Sequence, residues 1–149
     1  MMMYPERLAR GDCFSTGQEP AAPPRTLRLL VVDDEPAICQ ILTILLAEGG
    51  HEVQTARDGV DALQKFDAGH WDAVITDRAM PGMGGEELAA RVKRKVPGTQ
   101  VILLTGLAEA VDPKGVCTHT IDQVLKKPFT AATLKTAVAR IVAQKAGVT

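Results

Sequence analysis

Asp72-Ala73-Val74-Ile75-Thr76-Asp77-Arg78-Ala79-Met80-Pro81-Gly82 is the stretch whose reading decides the fold. Ala73 to Thr76 is short and apolar around Val74-Ile75, the pattern of a strand buried on both faces of a parallel sheet. Asp77 then stands at the C-terminal lip of that strand, and Pro81-Gly82 marks the loop by which the chain leaves it. A lone carboxylate buried there would cost several kcal/mol, so the position demands partners. In open α/β sheets ligands bind outside the carboxyl ends of the strands.

Upstream, Leu27 to Val32 (LRLLVV) is a second apolar run that stops at Asp33-Asp34-Glu35, with Pro36 suited to the first turn of a helix. The spacing of Ile38, Ile41, Leu42 and Leu45 predicts one core-facing stripe on that helix, which ends at Gly49-Gly50, and Cys39 reads as packing beside the stripe. Glu52 to Ala56 alternates weakly as a further strand. Asp58 is an N-cap for a helix lined by Ala62, Leu63 and Phe66.

Downstream of the central stretch, Glu86 and Glu87 open a helix that turns Leu88, Val92 and Val96 inward and ends in Arg91, Lys93, Arg94 and Lys95. That charge order complements the helix dipole and marks the basic cluster as a solvated helix end. Gln100 to Leu104 is the fourth strand, ending at Thr105. Residues 107–122, with Pro113 and Gly115, predict a short or irregular helix. Gln123 to Lys126 is a fifth strand, followed by Lys127, and Thr130 caps a last helix with Leu134, Ala137, Val138 and Ile141 inward.

With 149 residues, 46% of them hydrophobic and 23% charged, the chain fits one globular domain. A formal net charge of −1 without a basic face excludes nucleic acid and an anionic membrane surface as partners. Cys13, Cys39 and Cys117 are odd in number and form neither a disulfide framework nor a CxxC metal site, which suits a reducing compartment, so a cytoplasmic address is expected. No apolar run reaches the ~20 residues of a membrane span, and the N-terminal residues lack a basic segment followed by an apolar core, so no signal peptide is expected. Residues 1–26, with four prolines and no periodicity, are expected to be a disordered or loosely attached tail, followed by one domain over residues 27–145 and a short C-terminal tail, 146–149.

Strands alternating with helices imply right-handed βαβ units and one α/β domain with a doubly wound five-stranded parallel sheet, helices on both faces. The polar ends of its strands then meet: Asp33-Asp34, Asp77, Thr105 and Lys127 all fall on one sheet edge. Two carboxylates about 4 Å apart repel by about 4 kcal/mol at an effective dielectric near 20, so three require protons or a cation. Oxygen ligands, with no His or Cys at ligand spacing, suit Mg2+. His51, His70 and His119 are scattered and read as surface or packing residues. With the acids neutralised, Asp77 can act as a nucleophile on phosphorus, while Lys127 and the Thr105 hydroxyl stabilise the phosphoryl oxygens.

From about Leu27 to Lys145 the chain resembles the receiver domain of two-component response regulators, in Asp33-Asp34, Asp77 with Met80-Pro81-Gly82, Thr105, and Lys127-Pro128-Phe129. The resemblance implies a flavodoxin-like fold with strand order 2-1-3-4-5. It further implies that Asp77 takes a phosphoryl group from a histidine kinase or histidine phosphotransfer protein. Asp34 and Asp77 would ligate Mg2+ directly, Asp33 through water, and the backbone carbonyl of Ala79 would complete the protein ligands. Chemistry is confined to the chain's own phosphorylation and dephosphorylation, so no enzyme acting on other substrates is expected.

Two departures carry expectations of their own. Val124 stands three residues before Lys127, where many receivers place Tyr or Phe, so signalling is expected through the loop and helix preceding the fifth strand. Ala79 and Leu107 cannot orient a water by hydrogen bonding, which predicts slow self-dephosphorylation. A receiver without an output domain, signalling to an unspecified protein by contact, is the expected whole. A phosphate relay or sink and a homodimer stay open. A Mg2+-dependent phosphohydrolase of the haloacid dehalogenase type is disfavoured, because Asp33 and Glu35 are not followed by the Thr or Val of that motif and the chain has no room for a cap domain.

Overall fold

The computed structural model describes residues 26–106 and 120–145. Over these the chain forms β1 (Arg28–Val32), α1 (Pro36–Glu48), β2 (Glu52–Ala56), α2 (Gly59–Asp67), β3 (Ala73–Asp77), α3 (Gly85–Lys95), β4 (Gln100–Thr105), β5 (Gln123–Lys126) and α4 (Ala131–Lys145). Every strand pairing is parallel, and the order is β2-β1-β3-β4-β5. This is the doubly wound arrangement that the resemblance implies. The expected tail, apart from Thr26, lies outside the described residues. So do residues 107–119 of the stretch 107–122 expected to hold a short or irregular helix, with Leu107, His119 and Cys117 among them, and so do Cys13 and residues 146–149; residues 120–122 are described and are not helical.

The alternation of a strand sorts the core into two layers. Leu29, Val31, Ile75, Ile102 and Leu104 meet α1 and α4 on one face through Leu42, Leu46, Leu134, Val138 and Ile141. Leu30, Val32, Val74, Val101 and Leu103 meet α2 and α3 on the other through Ala62, Phe66, Leu88 and Val92. All five residues of β3 are buried, as its apolar reading requires.

The local signals act as expected at several ends. Asp58 accepts the Asp61 N–H at 2.7 Å and Thr130 Oγ1 accepts the Thr133 N–H at 3.0 Å, each an N-cap. Gly50 takes φ +88°, the left-handed turn that leads α1 into β2. The basic end of α3 is paired: Arg91 with Glu87, Lys93 with Asp122 and Lys95 with Asp67.

Two expected core contacts are absent. Ile41 is 50% exposed, and the buried face of α1 runs through Cys39, Leu42 and Leu46. Because α1 is apolar at most of its positions, periodicity alone does not choose between adjacent faces; packing on the sheet does. Val96 is 47% exposed because α3 ends at Lys95 and Val96 already has extended backbone.

One histidine has a defined structural role. The Leu27 N–H donates to His51 Nδ1 at 3.1 Å, a bond that only a ring unprotonated at Nδ1 accepts. Burial depresses the His51 pKa below its ordinary value, against the opposing charge of Asp72. The unfolded chain therefore binds more protons over the interval between the two values. This contribution to stability is complete above about pH 6.5 and is lost as the pH falls through the lower folded-state value. Thermal midpoints measured from about pH 7.5 to pH 5 should fall more steeply for the wild type than for His51→Gln, and equal slopes would refute the assignment.

Candidate functional site

The topology makes a site between β1 and β3. These strands are neighbours, with Val32 opposite Thr76, so Asp33 and Asp77 stand one step beyond and at the end of adjacent strands. The chain leaves β1 for α1 on one face of the sheet and leaves β3 for α3 on the other. The crevice lies where the connections diverge, the switch point of a doubly wound sheet.

Asp33, Asp34 and Asp77 each offer a carboxylate oxygen, and these atoms lie within 4.8 Å of one another. Asp33 and Asp77 are buried, while Asp34 is exposed at the rim. Lys127, just past β5, donates from Nζ to Asp77 Oδ1 at 2.9 Å and to Asp33 Oδ2 at 3.1 Å. The other oxygen of Asp33 accepts the Glu35 N–H at 2.9 Å. One ammonium against three carboxylates leaves the pocket negative.

The titration of the two central groups follows from this geometry. Burial pushes the Asp33 carboxyl above its ordinary value, although the Glu35 N–H and Lys127 both oppose it. Burial also works against the Lys127 ammonium, but its hydrogen bonds to Asp77 and Asp33 outweigh that and hold its pKa above the lysine norm. Lys127 stays charged wherever its partners are ionised.

Thr105 ends β4, one position beyond Leu104, the registered partner of Asp77. Its side chain is fully buried, and its hydroxyl has no hydrogen-bond partner among the described residues. An orphaned buried hydroxyl costs about 1–3 kcal/mol, which is justified where a ligand atom completes it. Ala79 is exposed, two residues past Asp77. Three carboxylates with no imidazole or thiolate among them form a hard oxygen donor set. That set fits a small divalent cation such as Mg2+, for which Asp33, Asp34, Asp77 and the Ala79 carbonyl are the candidate ligands.

The sequence-derived residues thus converge: Asp33, Asp34, Asp77 and Lys127 touch or nearly touch, and Thr105 lies on the neighbouring strand end. Three supporting contacts were not read from the sequence. The Cys39 thiol donates to the Asp33 carbonyl oxygen at 3.5 Å, so the residue is more than packing. Gly85 lies against β3, where an added Cβ would collide with the Asp77 carbonyl oxygen. Arg78 Nε pairs with Glu86 Oε1 at 3.0 Å. A glycine in the first helical turn four residues after a proline was the one visible hint; the Arg78 pair left none. Val124 stands on β5 and is 38% exposed.

The chain belongs to the response regulator receiver domain family, whose model matches residues 29–139. It is 39% identical over 103 residues to the transcriptional regulatory protein TcrA of Mycobacterium tuberculosis, covering 69% of this chain and 41% of that protein. It is 35% identical over 109 residues to the sensor histidine kinase RcsC of Escherichia coli, covering 73% of this chain and 12% of that one. The chain therefore spans less than half the length of these curated relatives. Among solved structures it superposes on the response regulator TrrA of Thermotoga maritima, in complex with Mg2+ and BeF, with TM-score 0.71 and 38% identity over 78% of this chain and 99% of that one. A receiver domain protein from Clostridium thermocellum gives TM-score 0.74 and 32% identity over 80% and 96%. No helix among the described residues is long and apolar enough to cross a membrane.

The tight approach at Gly85 is a direct test of how Asp77 is held. Gly85→Ala should lower stability by about 1–3 kcal/mol in urea unfolding, the cost of overpacking a backbone contact, and a variant as stable as the wild type would contradict it.

Proposed function

We propose that the chain accepts a phosphoryl group on Asp77 from a phosphohistidine of a histidine kinase or histidine phosphotransfer protein and passes the signal on by protein contact. The single observation that carries this reading is the Lys127 ammonium bridging Asp33 and Asp77 at 3.1 and 2.9 Å, with Asp34 within ligand distance. A lysine held between acids at a switch point is built for an oxyanion.

Asp33, Asp34, Asp77 and the Ala79 carbonyl would hold Mg2+, which when bound neutralises the acids and shares the phosphoryl charge. Asp77 attacks as a carboxylate, so no base has to remove a proton, in keeping with a cluster of acids that includes no histidine. The bond from an Asp77 oxygen to phosphorus forms as the donor's phosphorus–nitrogen bond breaks, and the imidazole leaves with that bond's electron pair. Lys127 moves its two hydrogen bonds toward the incoming oxygens. The Thr105 hydroxyl, without a partner until then, donates to another. Reversal by water requires a group that orients the water, and the Ala79 side chain has none to offer, so the acyl phosphate persists.

A donor of protein size is supported by what surrounds the acids. Ile44 on α1 is 59% exposed and helps, with Asp33, Asp34 and Arg57, to line a cleft of about 790 Å³.

Incubation with a small acyl-phosphate donor and Mg2+, followed by intact mass, tests the reading. The wild type should gain one base-labile phosphoryl group, and Asp77→Asn, or the wild type with a chelator, none. Equal labelling of Asp77→Asn, or continuous turnover of small phosphoesters, would overturn it.

A further inference from the structure

We propose that Arg78 and Glu86 act as a positioning clasp that sets the cation affinity of the pocket through the Ala79 segment. This inference rests on the functional reading above. It concerns residues that lie outside the acid and lysine set.

Arg78 directly follows Asp77 and is anchored three times. Its N–H donates to the Leu104 carbonyl at 2.8 Å, and its own carbonyl accepts the Gly85 N–H at 2.9 Å. Its Nε donates to Glu86 Oε1 at 3.0 Å, with the two side chains 22% and 31% exposed. Residues 79–84 therefore form a loop closed at a single residue, by main chain and side chain together. Inside the loop, Met80 is buried and Met83 packs on the same hydrophobic layer, lying close against Gly59. Gly82 supplies the left-handed turn between them at φ +80°.

Ala79 is the position left between these anchors, and it is exposed. A methyl side chain cannot hold its own peptide group, so the direction of the Ala79 carbonyl is inherited from Arg78 on one side and Met80 on the other. An outer group that orients a metal ligand commonly shifts affinity without touching the ion.

Charge gives the clasp a second effect. Arg78 follows Asp77 in the chain, and a guanidinium released from Glu86 is free to turn toward the acids and rival a divalent cation. Glu86, in the first turn of α3, engages that guanidinium from the helix side. Loss of Glu86 both loosens the loop and releases the rival, whereas loss of Arg78 only loosens the loop. The two single variants are therefore unequal.

Calorimetric titration of the whole chain with Mg2+ alone, beside thermal midpoints, reads this out. Glu86→Gln should weaken Mg2+ binding roughly three- to tenfold and Arg78→Gln by less, with the exchange Arg78→Glu/Glu86→Arg recovering affinity to within about twofold. The rate of labelling at saturating Mg2+ should not change, while the Mg2+ concentration giving half that rate rises with the dissociation constant. Single variants that bind Mg2+ as the wild type does would overturn the clasp alone, and so would an exchange that folds without regaining affinity. If the exchange does not fold, the ranking of the two single variants decides. A wild type that binds no Mg2+ overturns the functional reading and this inference with it.

Discussion

Mutual repulsion of carboxylates is the constraint on which the rest of this structure depends. Asp33, Asp34 and Asp77 bring oxygens within 4.8 Å of one another at the edge of an apolar sheet. At about 4 Å each such pair costs about 4 kcal/mol at an effective dielectric near 20. The fold offsets this cost with the Lys127 ammonium and the Glu35 N–H, while burial, with a smaller push from the Asp77 charge, still holds the Asp33 carboxyl above its ordinary value. A carboxyl raised in the folded state works against folding at neutral pH. A cation taken up by the acids relieves that penalty, so binding and stability are linked in this pocket.

The same constraint explains why the scaffold is so apolar just beneath the site. β3 is buried along its whole length, and both neighbouring strands are packed on two faces, which leaves the strand ends little freedom to move apart. Gly85 lets α3 begin in contact with the Asp77 carbonyl, and Cys39 ties α1 to the Asp33 carbonyl. Each helix that leaves the switch point is thus fastened to the acid that precedes it. The phosphoryl transfer proposed for this site needs little beyond charge and position, because the proposed nucleophile, Asp77, is a carboxylate.

Much of this was legible in the residues. The apolar run before Asp77, the acids after Val32, the Asp58 and Thr130 caps and the inward face of α4 are local patterns, and local physics produced them. Strand order was not local: periodicity is the same for any permutation of buried parallel strands, and only resemblance to receivers supplied it. The buried face of α1 was misjudged at Ile41 because a helix apolar at most positions offers several faces to the sheet. The acceptor role of His51 and the Arg78 to Glu86 pair join residues whose encounter depends on tertiary geometry, and neither has a signature in spacing. The residues of the site were legible because each ends a strand, and parallel strands deliver their ends to one edge.

The most direct test of the central claim is a structure determined with Mg2+ and fluoroberyllate, a phosphoryl mimic. The account predicts a cation held by Asp33, Asp34 and Asp77, fluoroberyllate on the Asp77 carboxylate, and Lys127 and Thr105 bonded to its fluorines. A pocket that stays empty at saturating concentrations of both, with Lys127 still paired to Asp33 and Asp77, would contradict it.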